Sequence, residues 1–157
     1  MDDVLNLVVD ATRALTAIAA RSVATVADDV TLPQYRVLVI LESRGAQTMS
    51  ELAEQLAVTA STATRTCDRL VDAKLIQRST HPADRRVVCV DLTAKGRRIV
   101  DRVSKRRRAE IEQILVSMSP EAQQRLARSL MEFSAAAGPV ADHSQSLGWT
   151  REPHDAG

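Results

Sequence analysis

The chain has 157 residues, 45% of them hydrophobic and 26% charged, and its formal net charge is +1; that length holds one domain-sized core but not two independent ones. Aromatic residues at 2% exclude the stacking platforms that RNA and single-strand binders use, and so small a net charge means that any affinity for a polyanion must come from local placement of cations. No apolar run reaches membrane-spanning length and the first residues lack a basic-then-apolar signal pattern, so a cytoplasmic protein is expected, and its two cysteines, both at predicted core or strand positions, fit a reducing compartment.

In chain order, residues 4 to about 27 read as one long helix, with Val4, Leu7, Val8, Ala11, Leu15, Ile18 and Ala19 as an apolar stripe. Asp28 and Asp29 close it. A second helix begins near Thr31-Leu32-Pro33, carries Tyr35, Leu38, Val39 and Leu41 inward, and ends at Gly45, a fitting C-cap. Thr48-Met49-Ser50-Glu51 is a capping box, and Leu52, Ala53 and Leu56 follow on one face. The chain turns after Ala57-Val58, and Thr59 can cap a further helix that turns Ala63, Cys67, Leu70 and Val71 inward. Its outer face is Ser61, Thr62, Thr64, Arg65, Asp68, Arg69 and Asp72. Two short helices joined in this way, the second polar at its start, describe a helix-turn-helix.

Two strand-like runs come next, Leu75 to Thr80 and Val87 to Leu92, around a charged tip from His81 to Arg86. A hairpin directly after a recognition-type helix is the wing of a winged helix. Thr93 caps a long helix to about Ser117, whose apolar line of Ile99, Val103, Ile111, Ile114 and Leu115 is interrupted by Arg107. The first half of that helix is strongly basic, and its face is either near a DNA backbone or simply solvated. Ser119-Pro120-Glu121 starts a last helix with Leu126, Leu130 and Phe133 as its stripe, stopped at Gly138-Pro139. The expected fold is therefore mainly α with a small β wing: a winged helix-turn-helix flanked by N- and C-terminal helices that pack either on a second copy or within the chain. Residues 1–137 form the domain, with a DNA-binding lobe over about 31–92, dimerisation helices over about 4–27 and 94–137, and a flexible tail from 138 to 157.

A recognition helix enters the major groove and shows its N-terminal half to base edges. Ser61, Thr62 and Thr64 can reach bases or phosphates, and Arg65 is placed for a bidentate contact with guanine. The alternative for Arg65 is an intrahelical pair with Asp68 or Asp72. Arg69, a turn later, suits a phosphate. Nothing points to catalysis: the three histidines are scattered over the wing tip and tail, and there is no HExxH, G-x-S-x-G or glycine-rich phosphate loop. Neither Cys67 nor Cys89 meets histidines at metal-ligand spacing, so no metal and no cofactor are expected. Both read as small core residues, a redox switch through them being the alternative.

Ser50-Glu51-Leu52-Ala53, the run from Thr62 to Leu70, Asp84-Arg85-Arg86 and Leu92-Thr93-Ala94-Lys95-Gly96 resemble the MarR family of bacterial transcriptional regulators. The resemblance extends over about residues 4 to 137 and is most specific in the D-R-R wing tip followed by L-T-x-K-G. It departs at Lys74, where the family usually has glycine; the turn must take a positive φ there or shift, at about 1 kcal/mol. The resemblance implies a homodimer with interlocked terminal helices, bound to a pseudo-palindromic duplex, and a repressor released by a small, often anionic aromatic effector. At the wing, Arg85 can enter a minor groove narrow enough to concentrate negative potential, and the resemblance implies that Arg86 then bridges to Asp84, although the two arginines are interchangeable from sequence. Effector-lining candidates by resemblance are Tyr35 and Arg36. The rival reading from another class is a winged helix serving as a protein-interaction module.

Overall fold

The computed structural model describes residues 1–27, 29–81 and 84–138, with the side chains of 81 and 84–86 excepted. Six helices and three short strands follow one another along the described chain: α1 (Asp2–Val26), α2 (Leu32–Arg44), β1 (Gln47–Thr48), α3 (Met49–Leu56), α4 (Ala60–Asp72), β2 (Ile76–His81), β3 (Asp84–Leu92), α5 (Ala94–Val116) and α6 (Pro120–Ala137). This is a winged helix-turn-helix with helices at both ends.

Local chemistry sets most boundaries. Thr48 Oγ1 accepts from the Glu51 amide at 3.2 Å while the Glu51 carboxylate accepts from the Thr48 amide at 2.7 Å, closing the capping box that starts α3. A second capping box, Thr31 with Gln34, starts α2, and Gly45 ends that helix at φ +74°. Thr59, Thr93 and Ser119 each accept from an amide three residues on, starting α4, α5 and α6. Between α3 and α4 the chain turns through Ala57 at φ +54°, a left-handed conformation that an alanine occupies only at a cost. Lys74 likewise takes φ +60°: the turn keeps its left-handed shape without glycine.

The sheet is larger than the predicted hairpin. Gln47 and Thr48 pair with Val90 and Cys89, giving three antiparallel strands in the order β1-β3-β2. A strand of two residues has no periodicity to read, which is why it escapes a sequence scan. The ladder also runs further toward the tip than expected. β2 reaches His81 and β3 begins at Asp84, so Asp84, Arg85 and Arg86 belong to a strand by their backbone, while Leu75, expected in the first strand, lies in the turn before it.

The core joins α2, α3, α4, the sheet and the first half of α5 around Tyr35, Leu38, Leu52, Leu70, Ile76 and Val103. α5 buries Gly96, Val100, Val103 and Arg107. Its inward line therefore includes Val100 and Arg107, whereas Ile114, expected in it, is exposed. Ion pairs tie α5 to its neighbours, Arg21 with Glu110 on the α1 side and Arg97 with Glu42 at 3.0 Å on the α2 side.

Candidate nucleic-acid interface

α4 is the element on which the site is built. Ala63, Cys67 and Leu70 anchor its inner face, and at 3.6 residues per turn Ser61, Arg65, Asp68 and Asp72 share the opposite one. Ser61, Thr62, Arg65 and Arg69 are exposed and Thr64 is half-buried, its hydroxyl donating to the Ala60 carbonyl at 2.9 Å. Thr62 Oγ1 and Ser61 Oγ lie 2.9 and 3.3 Å from the Thr59 hydroxyl, so three hydroxyls cluster at the helix start.

Among the described residues Arg65 pairs with neither aspartate on its helix; its Nε donates to the Ser61 carbonyl at 3.4 Å, a long and weak contact. Asp68 is held instead from the wing, where Arg78 of β2 reaches its carboxylate at 2.6 Å. The expected alternative, an Arg65–Asp68 pair, is thus replaced by a bridge between helix and wing that helical spacing could not disclose. The side chains of Asp84, Arg85 and Arg86 lie outside the described residues.

The orientation of α4 is fixed from behind by the junction with α5. Thr93 Oγ1 donates to the carbonyls of Lys74 at 2.8 Å and Leu75 at 3.0 Å, and its amide donates to Leu75 at 3.1 Å. Lys95 Nζ donates to the Ala73 carbonyl at 2.9 Å. The L-T-x-K-G sequence therefore clamps the end of the recognition helix to the start of the long helix.

A cavity of about 290 Å³ lies beside that clamp, lined by Gln34, Arg69, Leu70, Ala73, Lys95 and Ile99 among others. Arg69, expected at a phosphate, lines this cavity. Tyr35 and Arg36 do not line it. Tyr35 is fully buried at 0% exposure; burial pushes its phenol up, and the Arg107 guanidinium and Ser104 opposite it pull the other way. Arg107 is itself 8% exposed, so the residue that interrupts the apolar line of α5 is a buried partner of α2. Its burial depends on a contact between distant segments, of which the sequence shows only the break in the apolar line.

Cys67 and Cys89 are both buried and free. Burial and the neighbouring Asp68 push the Cys67 thiol up to about 11, with Arg78 opposing. Among the described residues no group of three metal-binding side chains occurs, and no helix is long and apolar enough to cross a membrane.

Comparison with known proteins places this architecture. The MarR family model matches residues 30–88. The HTH-type transcriptional regulator YfiV of Bacillus subtilis is 31% identical over 108 residues, covering 69% of this chain and 68% of that protein. The crystal structure of RV1404 from Mycobacterium tuberculosis superposes with a TM-score of 0.80 at 40% identity, over 88% of this chain and 94% of that one. Streptococcus pneumoniae FabT, solved in complex with DNA, shares the fold with a TM-score of 0.68 at 22% identity, over 87% of this chain and 96% of that one. The chain belongs to the MarR family of winged helix-turn-helix transcriptional regulators.

Proposed function

We propose that this regulator is a cytoplasmic homodimeric repressor that reads a pseudo-palindromic duplex with α4 and the wing and is released by a small anionic aromatic ligand. The observation that carries the DNA-reading half is Arg65. It stands exposed one turn into α4, on the face opposite the buried Ala63 and Cys67, with a weak backbone contact to give up. Guanine offers two acceptors to such a guanidinium in the major groove. The hydroxyls of Ser61, Thr62 and Thr64 are proposed to contact bases or phosphates beside it. Arg85, with Arg86 and Asp84 at the wing, is proposed to meet the flanking minor groove or its phosphates. FabT, of the same fold, is solved with DNA bound.

The cavity beside the clamp supports the ligand half. Gln34, Arg69 and Lys95 give it two cations and an amide beside one acid, Asp29, and Arg69 also belongs to the recognition helix. A bound anion would draw on a side chain that DNA would otherwise use. Tyr35 and Arg36, which directly follow Gln34 in α2, remain candidates for contact with a ligand that opens the junction further.

The test uses Arg65→Ala and Arg85→Ala on a duplex selected from a random pool by the wild-type protein. Arg65→Ala is expected to cost about 1–3 kcal/mol per half-site and relax preference at one base pair. Arg85→Ala is expected to weaken binding across many sequences and flatten its salt dependence. If neither changes affinity while circular dichroism is unaltered, the DNA face is misassigned and the protein-interaction reading takes its place.

A further inference from the structure

We propose that the Asp68–Arg78 bridge keeps Arg65 available to DNA by occupying the carboxylate that would otherwise hold it. This rests on the reading of Arg65 as a base-contacting residue and assigns Arg78 as a positioning residue for it.

Asp68 lies three residues beyond Arg65 on α4, the spacing at which opposite charges on a helix meet and stabilise one another. An isolated α4 would offer Asp68 that partner. In the folded protein the carboxylate is turned to Arg78 at 2.6 Å, and Arg65 turns back along the helix toward the Ser61 carbonyl at 3.4 Å. The choice is made by the sheet. Arg78 is held in register opposite Val90 by the β2–β3 ladder, so its guanidinium is delivered to Asp68 from a fixed strand. Both side chains of the bridge are about half exposed, so neither pairing is strong and geometry decides between them. The bridge has a second consequence. It neutralises a carboxylate on the face of α4 that meets DNA, where an unpaired negative charge would repel phosphates.

The experiment compares wild type, Arg78→Gln, the double variant Asp68→Asn with Arg78→Gln, and Arg65→Ala. For each, affinity is measured for a duplex selected by the wild-type protein and for its single-base variants, at low and moderate salt. Loss of Arg78 alone leaves Asp68 free to capture Arg65. Discrimination at the Arg65 base pair is expected to fall about twofold per half-site, hence about fourfold in a two-fold dimer. Removing the carboxylate as well is expected to restore it, although the double variant has no bridge. A plain structural brace predicts the opposite, since both variants lack it equally. A double variant no better than Arg78→Gln overturns the proposal. So does an equal loss of affinity and of salt dependence in both, which would make Arg78 a direct phosphate contact. Unchanged discrimination in Arg65→Ala overturns the underlying reading of Arg65 and this inference with it. A loss in Arg65→Ala with none in Arg78→Gln overturns the inference alone.

Discussion

Gly96, in the first turn of α5, sits so close to the main chain of Leu75 that a β-carbon placed there would lie 2.2 Å from the Leu75 carbonyl oxygen and 2.8 Å from a Leu92 methyl. That carbonyl also accepts from the amide and the hydroxyl of Thr93. It cannot retreat without breaking the clamp between α4 and α5. Gly96→Ala is therefore expected to destabilise the fold by about 3 kcal/mol, at the upper end of overpacking costs. Thr93→Ala, which removes a cap and leaves backbone carbonyls short of a donor, should cost about 1–2 kcal/mol. Denaturant titration of both variants checks the order. A Gly96→Ala protein as stable as wild type would show that the two segments are not held at this distance.

The two left-handed alanine and lysine turns suggest the reverse experiment. Ala57 at φ +54° and Lys74 at φ +60° both pay for a conformation in which the β-carbon crowds the backbone. Ala57→Gly and Lys74→Gly should each stabilise by up to about 1 kcal/mol, glycine's entropy in the unfolded chain taking back part of the gain. The two positions flank opposite ends of the 13-residue α4, so the two gains should add. Thermal melts of the single and double variants measure this, and a drop in melting temperature in either would contradict it.

What could be read from sequence was local. The capping box at Thr48 and Glu51, the cap at Thr93 and the helical faces of α3 and α4 depend on residues three or four apart, and the structure has them. Lys74 was legible too, through the family resemblance, as a residue under conformational strain. The pairing of Gln47 with Val90, the burial of Arg107 against Tyr35 and the capture of Asp68 by Arg78 each join segments that only the fold brings together. For Asp68 the helix itself offered a plausible partner, Arg65, so local reasoning left the wrong pair in play. The cavity at Arg69 and Lys95 was invisible for the same reason, its lining being drawn from α1, α2, α4 and α5.

The buried thiols give a pH-dependent expectation. Cys67 ionises near 9.0 when solvated and at about 11 in the fold, because burial and Asp68 disfavour its thiolate. Below pH 9 both states hold the proton and the group has no effect on stability. Between about 9 and about 11 the unfolded chain loses the proton and the folded one keeps it. Stability should therefore fall with rising pH across that window, by about 1.4 kcal/mol per unit at most from this group. Cys67→Ala should flatten this part of the pH profile. At neutral pH the same suppression leaves little thiolate to oxidise, so the variant lacking both Cys67 and Cys89 should bind DNA like wild type with or without mild peroxide. Peroxide release of wild type but not of the double variant would instead establish the cysteines as a redox switch.

A single copy leaves apolar surface uncovered at both of its ends. α6 runs for 18 residues and buries none of them. Leu130 is 53% and Phe133 58% exposed, and at the start of α1 Val4 is 61% and Leu7 68% exposed. Most helical stability in proteins comes from packing an amphipathic face, and apolar stripes on both termini exceed the scattered apolar residues of an ordinary surface. A second copy presenting the same stripes would cover them by a two-fold, self-complementary contact. Sedimentation at micromolar concentration should then give about twice 17.1 kDa. Leu130→Asp combined with Phe133→Asp should shift the protein toward the monomer and lower its helix signal, since α6 loses the cover that keeps it folded. Affinity for a two-half-site duplex should fall in parallel, because each monomer would engage its half-site alone. A wild-type protein that sediments as a monomer and still binds such a duplex specifically would exclude this assembly.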